Sequence, residues 1–189
     1  MTLHREFRDE IEALSLRQRG VLLLLCLERL VHYHERYYLD HPRMRQHSHG
    51  VMEMLDRGWC WAAGDPLGVA PPHDFQDGDE PAEPSDAWGG WVELIAALVW
   101  SLVERLVEKG APTMSDVREV LDEFDALQEA ADDGFLVGPP GWGPVERQRD
   151  DLRSDLGAAR TAAPRELSAL RFRVRADPPP ARLISPLGA

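Results

Sequence analysis

Nine apolar side chains between Trp91 and Val107 set the strongest limit on what this chain can fold into. Trp91, Leu94, Ile95, Leu98, Val99, Leu102, Val103, Leu106 and Val107 recur at i, i+3, i+4 and i+7 without a break. That spacing lines one face of a helix and cannot line one face of a strand. Ala96, Ala97 and Trp100 make part of the remaining face apolar too, so the helix needs partners around most of its circumference. Lys109, Gly110 and Pro112 then supply a cation for the helix C-terminus, a C′ glycine and a stop. The expected fold is all-α, an irregular bundle of about five or six helices packed around this central one.

The flanking segments agree with that class. Phe7, Ile11 and Leu14 share one face of a short helix over Leu3–Leu14. Ser15 and Gln18 have the spacing of a capping box, and a long helix follows to about Leu39, carrying Leu23, Leu27, Leu30, Val31, His34 and Tyr38 on its stripe. Pro42 stops it, and a third helix is expected over Arg43–Ala62. Ser115 is read as the cap of a helix through Ala131, and Pro144 as the first residue of one reaching Arg160. Beyond Pro164, Arg171–Arg175 alternates charged and apolar residues in a strand-like way before Pro178–Pro180. Residues 1–163 are therefore expected to form the helical domain and 164–189 an extended tail.

Charge narrows the function classes. Thirty-three acidic residues against 21 basic ones give a formal charge of -12, which opposes DNA, RNA or anionic lipid as the main ligand because phosphate binding needs a cationic surface. The carboxylates are concentrated in two places. Residues 64–86 hold seven carboxylates, five prolines and no Lys or Arg, the composition of a long solvated loop. The helix from Ser115 carries Asp116, Glu119, Asp122, Glu123, Asp125, Glu129, Asp132 and Asp133 on its outer face against the single Arg118. Candidate partner-binding residues are accordingly Asp122, Glu123, Asp125, Glu129, Asp132 and Asp133 on the helix. Asp74, Asp77, Asp79 and Glu80 in the loop join them, as do Trp88 and Trp142, whose glycine neighbours suit exposed anchors at a protein interface.

Catalytic and metal-binding patterns are absent by spacing. His32, His34, His41, His47 and His49 fall close together, but His32 and His34 stand at i, i+2 and project from opposite sides of a helix. His47 and His49 repeat that spacing, and neither Glu-x-x-His nor His-Glu-x-x-His occurs. These histidines read as surface residues. There is no Gly-x-Ser-x-Gly elbow and no phosphate-cradling Gly-x-x-x-x-Gly-Lys. Cys26 and Cys60 are too few for a disulfide framework and read as buried thiols. No catalytic, cofactor or metal residues are assigned.

LLLCLERLVHYHERYY over Leu23–Tyr38, WVELIAALVWSLVERL over Trp91–Leu106, SDVREVLDEF from Ser115 and the Pro-Val-Glu-x-x-x-Asp pattern from Pro144 to Asp150 together resemble the YjaG-like family of bacterial helical proteins. The resemblance covers roughly residues 14–156 and implies a helical bundle; that family brings no catalytic residues to carry over. The functional expectation is a non-enzymatic binding protein, most concretely an immunity protein that neutralises a cognate toxin by covering it with an acidic face. The expected partner is a basic toxin domain, with no nucleic acid, membrane, metal or cofactor, in the cytoplasm, where a chain without an apolar leader resides by default. Two alternatives stay open: a metal-dependent helical enzyme using the histidines, and a structural or regulatory homo-oligomer.

Overall fold

The computed structural model describes residues 2–40, 49–67, 87–132, 136–137, 144–177 and 182–183. The fold is all-helical. Among the described residues eight α-helices run α1 Leu3–Glu6, α2 Arg8–Glu12, α3 Leu16–Asp40, α4 His49–Ala63, α5 Ala87–Lys109, α6 Met114–Asp132, α7 Pro144–Thr161 and α8 Leu167–Arg175. The one ladder among the described residues is a two-residue antiparallel pair, β1 Leu136–Val137 against β2 Arg182–Leu183.

The helix at the centre is α3, not the Trp91–Lys109 helix. Val21 to Leu27 are all buried, and α4, α5, α6, α7 and α8 all pack on α3. The reason lies in six consecutive apolar residues, Val21–Cys26: at 100° per residue such a run covers every side of a helix. By contrast α5 keeps an open side, with Leu94 49% exposed and Ala97 also exposed. Its buried positions are Val92, Ile95, Ala96, Val99, Trp100, Leu102, Val103 and Leu106, which keep most of the stripe read in the sequence and widen it toward Val92, Ala96 and Trp100.

Several local signals operate as the sequence implies. The Ser15 amide donates to Gln18 Oε1 at 2.8 Å and the Gln18 amide to Ser15 Oγ at 3.3 Å, a reciprocal capping box at the start of α3. Gly110 ends α5 at φ +70°, its amide bonded to the Leu106 carbonyl. Others differ. The first helix breaks at the buried Phe7, where φ −106° and ψ 11° leave the helical region. The cap of α6 is Thr113, whose Oγ1 accepts from the Asp116 amide at 3.2 Å while its own amide donates to Asp116 Oδ2 at 2.6 Å.

The expected extended tail is replaced, over Leu167–Arg175, by α8. Leu167, Leu170 and Val174 fall at i, i+3 and i+7 and are buried, a helical stripe that the alternating arginines mask in the sequence. A 3-10 turn at Pro164–Glu166 leads into it, with the Ala163 amide donating to Glu166 Oε2 at 2.9 Å. No described helix is long and apolar enough to cross a membrane.

Helices α3 and α4 approach where a side chain is missing. A Cβ on Gly58 would stand 2.5 Å from Leu24 Cδ2 and 3.3 Å from Val103 Cγ1, both in the closed core. Gly58→Val is therefore expected to lower stability by about 1–3 kcal/mol through overpacking. Gly157 is the opposite case: it lies inside α7 with nothing within 4 Å of its added Cβ, so Gly157→Ala should gain about 0.5–1 kcal/mol from helix propensity. Urea denaturation of both variants reads the two signs side by side.

Candidate functional site

The carboxylates of α6 divide into two sets. Val117, Val120, Leu121, Phe124 and Leu127 bury the inner stripe, which turns the acidic positions sideways or outward. Asp122, Glu129 and Asp132 are exposed. Asp122 sits 3.4 Å from Arg118, and Asp132 accepts from Gln128 Nε2 at 2.6 Å.

The remaining acids on that helix are occupied by the protein itself. Glu123 accepts a hydrogen bond from Trp91 Nε1 at 2.9 Å, and Asp125 accepts one from the Leu3 amide at 3.3 Å. Burial raises both carboxyls above their ordinary values, against the lowering effect of those bonds. Asp116, expected on the outer face, is 7% exposed and pairs with Arg105 at 3.0 Å beside the Thr113 cap. Glu119 pairs with the same arginine at 2.6 Å. Of the expected acidic row, then, Glu123 and Asp125 are half-buried structural groups.

Asp74, Asp77, Asp79, Glu80, Asp133 and Trp142 lie outside the described residues, and Trp88 is described only as a backbone position in the first turn of α5. The structure thus brings Asp122, Glu129 and Asp132 onto one helix and does not place the loop acids relative to them.

A second feature carries no motif in the sequence. Between α4 and α8 lies an open cleft of about 570 Å³, with Asp56, Trp59, Asp65, Arg171, Phe172 and Arg175 among its walls. Its floor is organised by Glu28 of α3, a carboxylate only 1% exposed. Glu28 Oε1 accepts from Trp59 Nε1 at 2.8 Å and from Arg171 Nε at 2.5 Å, and its Oε2 lies 3.2 Å from Arg175 Nε. Arg171 also reaches Asp56 at 2.5 Å, and Arg175 reaches Glu35 at 3.2 Å. One buried carboxylate therefore fixes three cleft residues from two other helices. The signal that could have located it is an acid set inside the apolar run Val21–Val31.

The histidines separate. His34, expected at the surface, is fully buried by the central position of α3, and burial pushes its pKa down to about 4. His32 Nε2 lies 3.2 Å from the Val174 carbonyl. His41 and His47 lie outside the described residues, as does the His49 side chain. Among the described residues no three His, Cys, Asp or Glu side chains converge as a metal site would require. Both cysteines are free; Cys26 is buried, with its thiol pushed up by desolvation, while Cys60 is half-buried at the cleft.

No protein family, no curated protein and no solved structure matches this chain. Its chemistry is read from its own residues.

Proposed function

We propose that the protein acts by binding another protein through an acidic face, most concretely as an immunity protein that neutralises a basic toxin domain. The observation that carries this reading is the outward set Asp122, Glu129 and Asp132 on α6, in a chain of formal charge -12. Within the set, Glu129 and Asp132 stand at i, i+3, a like-charge spacing that costs a helix a few tenths of a kcal/mol, so that pair does not serve helix stability. A basic partner relieves that repulsion, and opposite net charges accelerate the encounter. The YjaG-like resemblance adds the helical class and no reactive residue.

The test uses the three exposed positions only. Asp122→Lys, Glu129→Lys and Asp132→Lys together leave the helical circular dichroism unchanged, because none of them supports the core. In a pull-down against the product of the adjacent gene, taken as the candidate partner, the triple variant is expected to lose binding at physiological salt. Retention equal to the parent at low and high salt means the row is only a solvated face. Glu123 and Asp125 are left out of the set, since reversing them would strand Trp91 and the Leu3 amide.

A further inference from the structure

We infer that the cleft between α4 and α8 is a second contact surface, built to take an arginine or lysine side chain of a basic protein segment. The inference rests on the reading of the protein as the binder of a basic partner and names a site for it away from α6.

Size, wall chemistry and charge agree. A cleft of about 570 Å³ falls in the range of sites that enclose a ligand group. Trp59 and Leu167, 6% and 2% exposed, give apolar wall for the methylene stem of a long cationic side chain. At the rim, Phe172 is 74% exposed, more than any other large apolar side chain described. Its ring contributes nothing to the core and offers an open π face, which attracts a guanidinium or ammonium. Asp65 is exposed, and Asp56 keeps 61% of its side chain exposed.

The two arginines of the cleft are already engaged by carboxylates, apart from Arg171 Nη2, which has no hydrogen-bond partner among the described residues. Glu28 takes both of them, Asp56 takes Arg171 and Glu35 takes Arg175. Counting the groups that line the cleft or bond to its lining, four carboxylates (Glu28, Glu35, Asp56, Asp65) face two guanidiniums. The residual field favours a cation. Because Glu28 holds Trp59 and both arginines in place, the walls are arranged before any ligand arrives, which lowers the ordering cost of binding.

The test is a titration of the full-length ¹⁵N-labelled protein with a hexa-arginine peptide, with hexaglutamate as control. Hexa-arginine is expected to shift the Trp59 indole resonance and the amides of Asp65 and Phe172, and hexaglutamate to leave them in place. Phe172→Ala and Asp65→Asn are each expected to weaken the cleft event about two- to fivefold, the scale of one exposed cation–π or ion-pair contact. Both residues are exposed, so melting temperature stays unchanged and misfolding does not confuse the result. Shifts confined to α6 overturn the cleft inference and leave the acidic-face reading standing. Shifts confined to the cleft do the reverse, and no shift in either place overturns both. Movement of the cleft resonances by hexaglutamate alone, or undiminished binding by both variants, also overturns the inference.

Discussion

Asp155→Ala is expected to lower the stability of the protein by about 3–5 kcal/mol, the scale of breaking a buried ion pair from one side. Asp155 lies on α7 with 1% exposure, and Arg29 of α3 donates to it through Nε at 2.8 Å and Nη2 at 2.9 Å. The alanine leaves the Arg29 guanidinium in a site where its side chain is only 12% exposed, with Asp151 at 3.2 Å as its remaining partner. The cost is that of a buried guanidinium left with Asp151 alone, and not the worth of the pair. Desolvation raises the Asp155 carboxyl even with the arginine beside it, so at this group burial outweighs pairing. Removing both charges should therefore be mild: Arg29→Met with Asp155→Leu is expected to fall within about 1 kcal/mol of the parent, or above it. Chemical denaturation of the two single variants and the double variant gives the coupling directly. A double variant as unstable as the sum of the singles would contradict the argument.

The second large effect is the loss of stability on acidification through His34. Unfolded, its imidazole titrates near 6.5; in the fold, burial holds it at about 4. The unfolded chain therefore takes up the proton first as pH falls. The stability from neutral His34 is fully present above pH 6.5 and is lost progressively as pH drops through the folded value near 4. The full loss is about 3 kcal/mol. His34→Leu removes this titration, so the difference between parent and variant in urea midpoint should change steadily between pH 7 and pH 4.5. A difference that stays constant across that range would mean that His34 is solvated in the fold.

The helical class and most helix positions were legible because apolar periodicity needs no knowledge of neighbours. Several departures from that reading have a non-local cause, whereas the Thr113 cap of α6 rests on a local i, i+3 pair with Asp116. Leu94 belongs to a flawless stripe yet stays exposed, because the buried face of α5 extends toward Val92, Ala96 and Trp100 instead. The α8 segment reads as alternating until Glu28, 143 residues away in sequence, is seen to bind Arg171. A carboxylate also looks the same in sequence whether it meets water or an indole. Asp122 and Glu123 are adjacent, but only Glu123 meets Trp91, and that separates a surface charge from a structural one. The cleft was illegible for the same reason, since its walls come from α4 and α8, with Asp65 just beyond α4, and the carboxylate that bonds them comes from α3.

The most direct measurement is the association rate of the protein with the product of the adjacent gene, taken as the candidate partner, as a function of salt. The acidic-face account predicts a stoichiometric complex that abolishes the partner's toxicity on co-expression. It also predicts a rate that falls steeply between low and physiological ionic strength, with that slope flattened by Asp122→Lys, Glu129→Lys and Asp132→Lys together. A complex whose formation rate ignores both salt and the triple reversal, or the absence of any complex or protection, would contradict it.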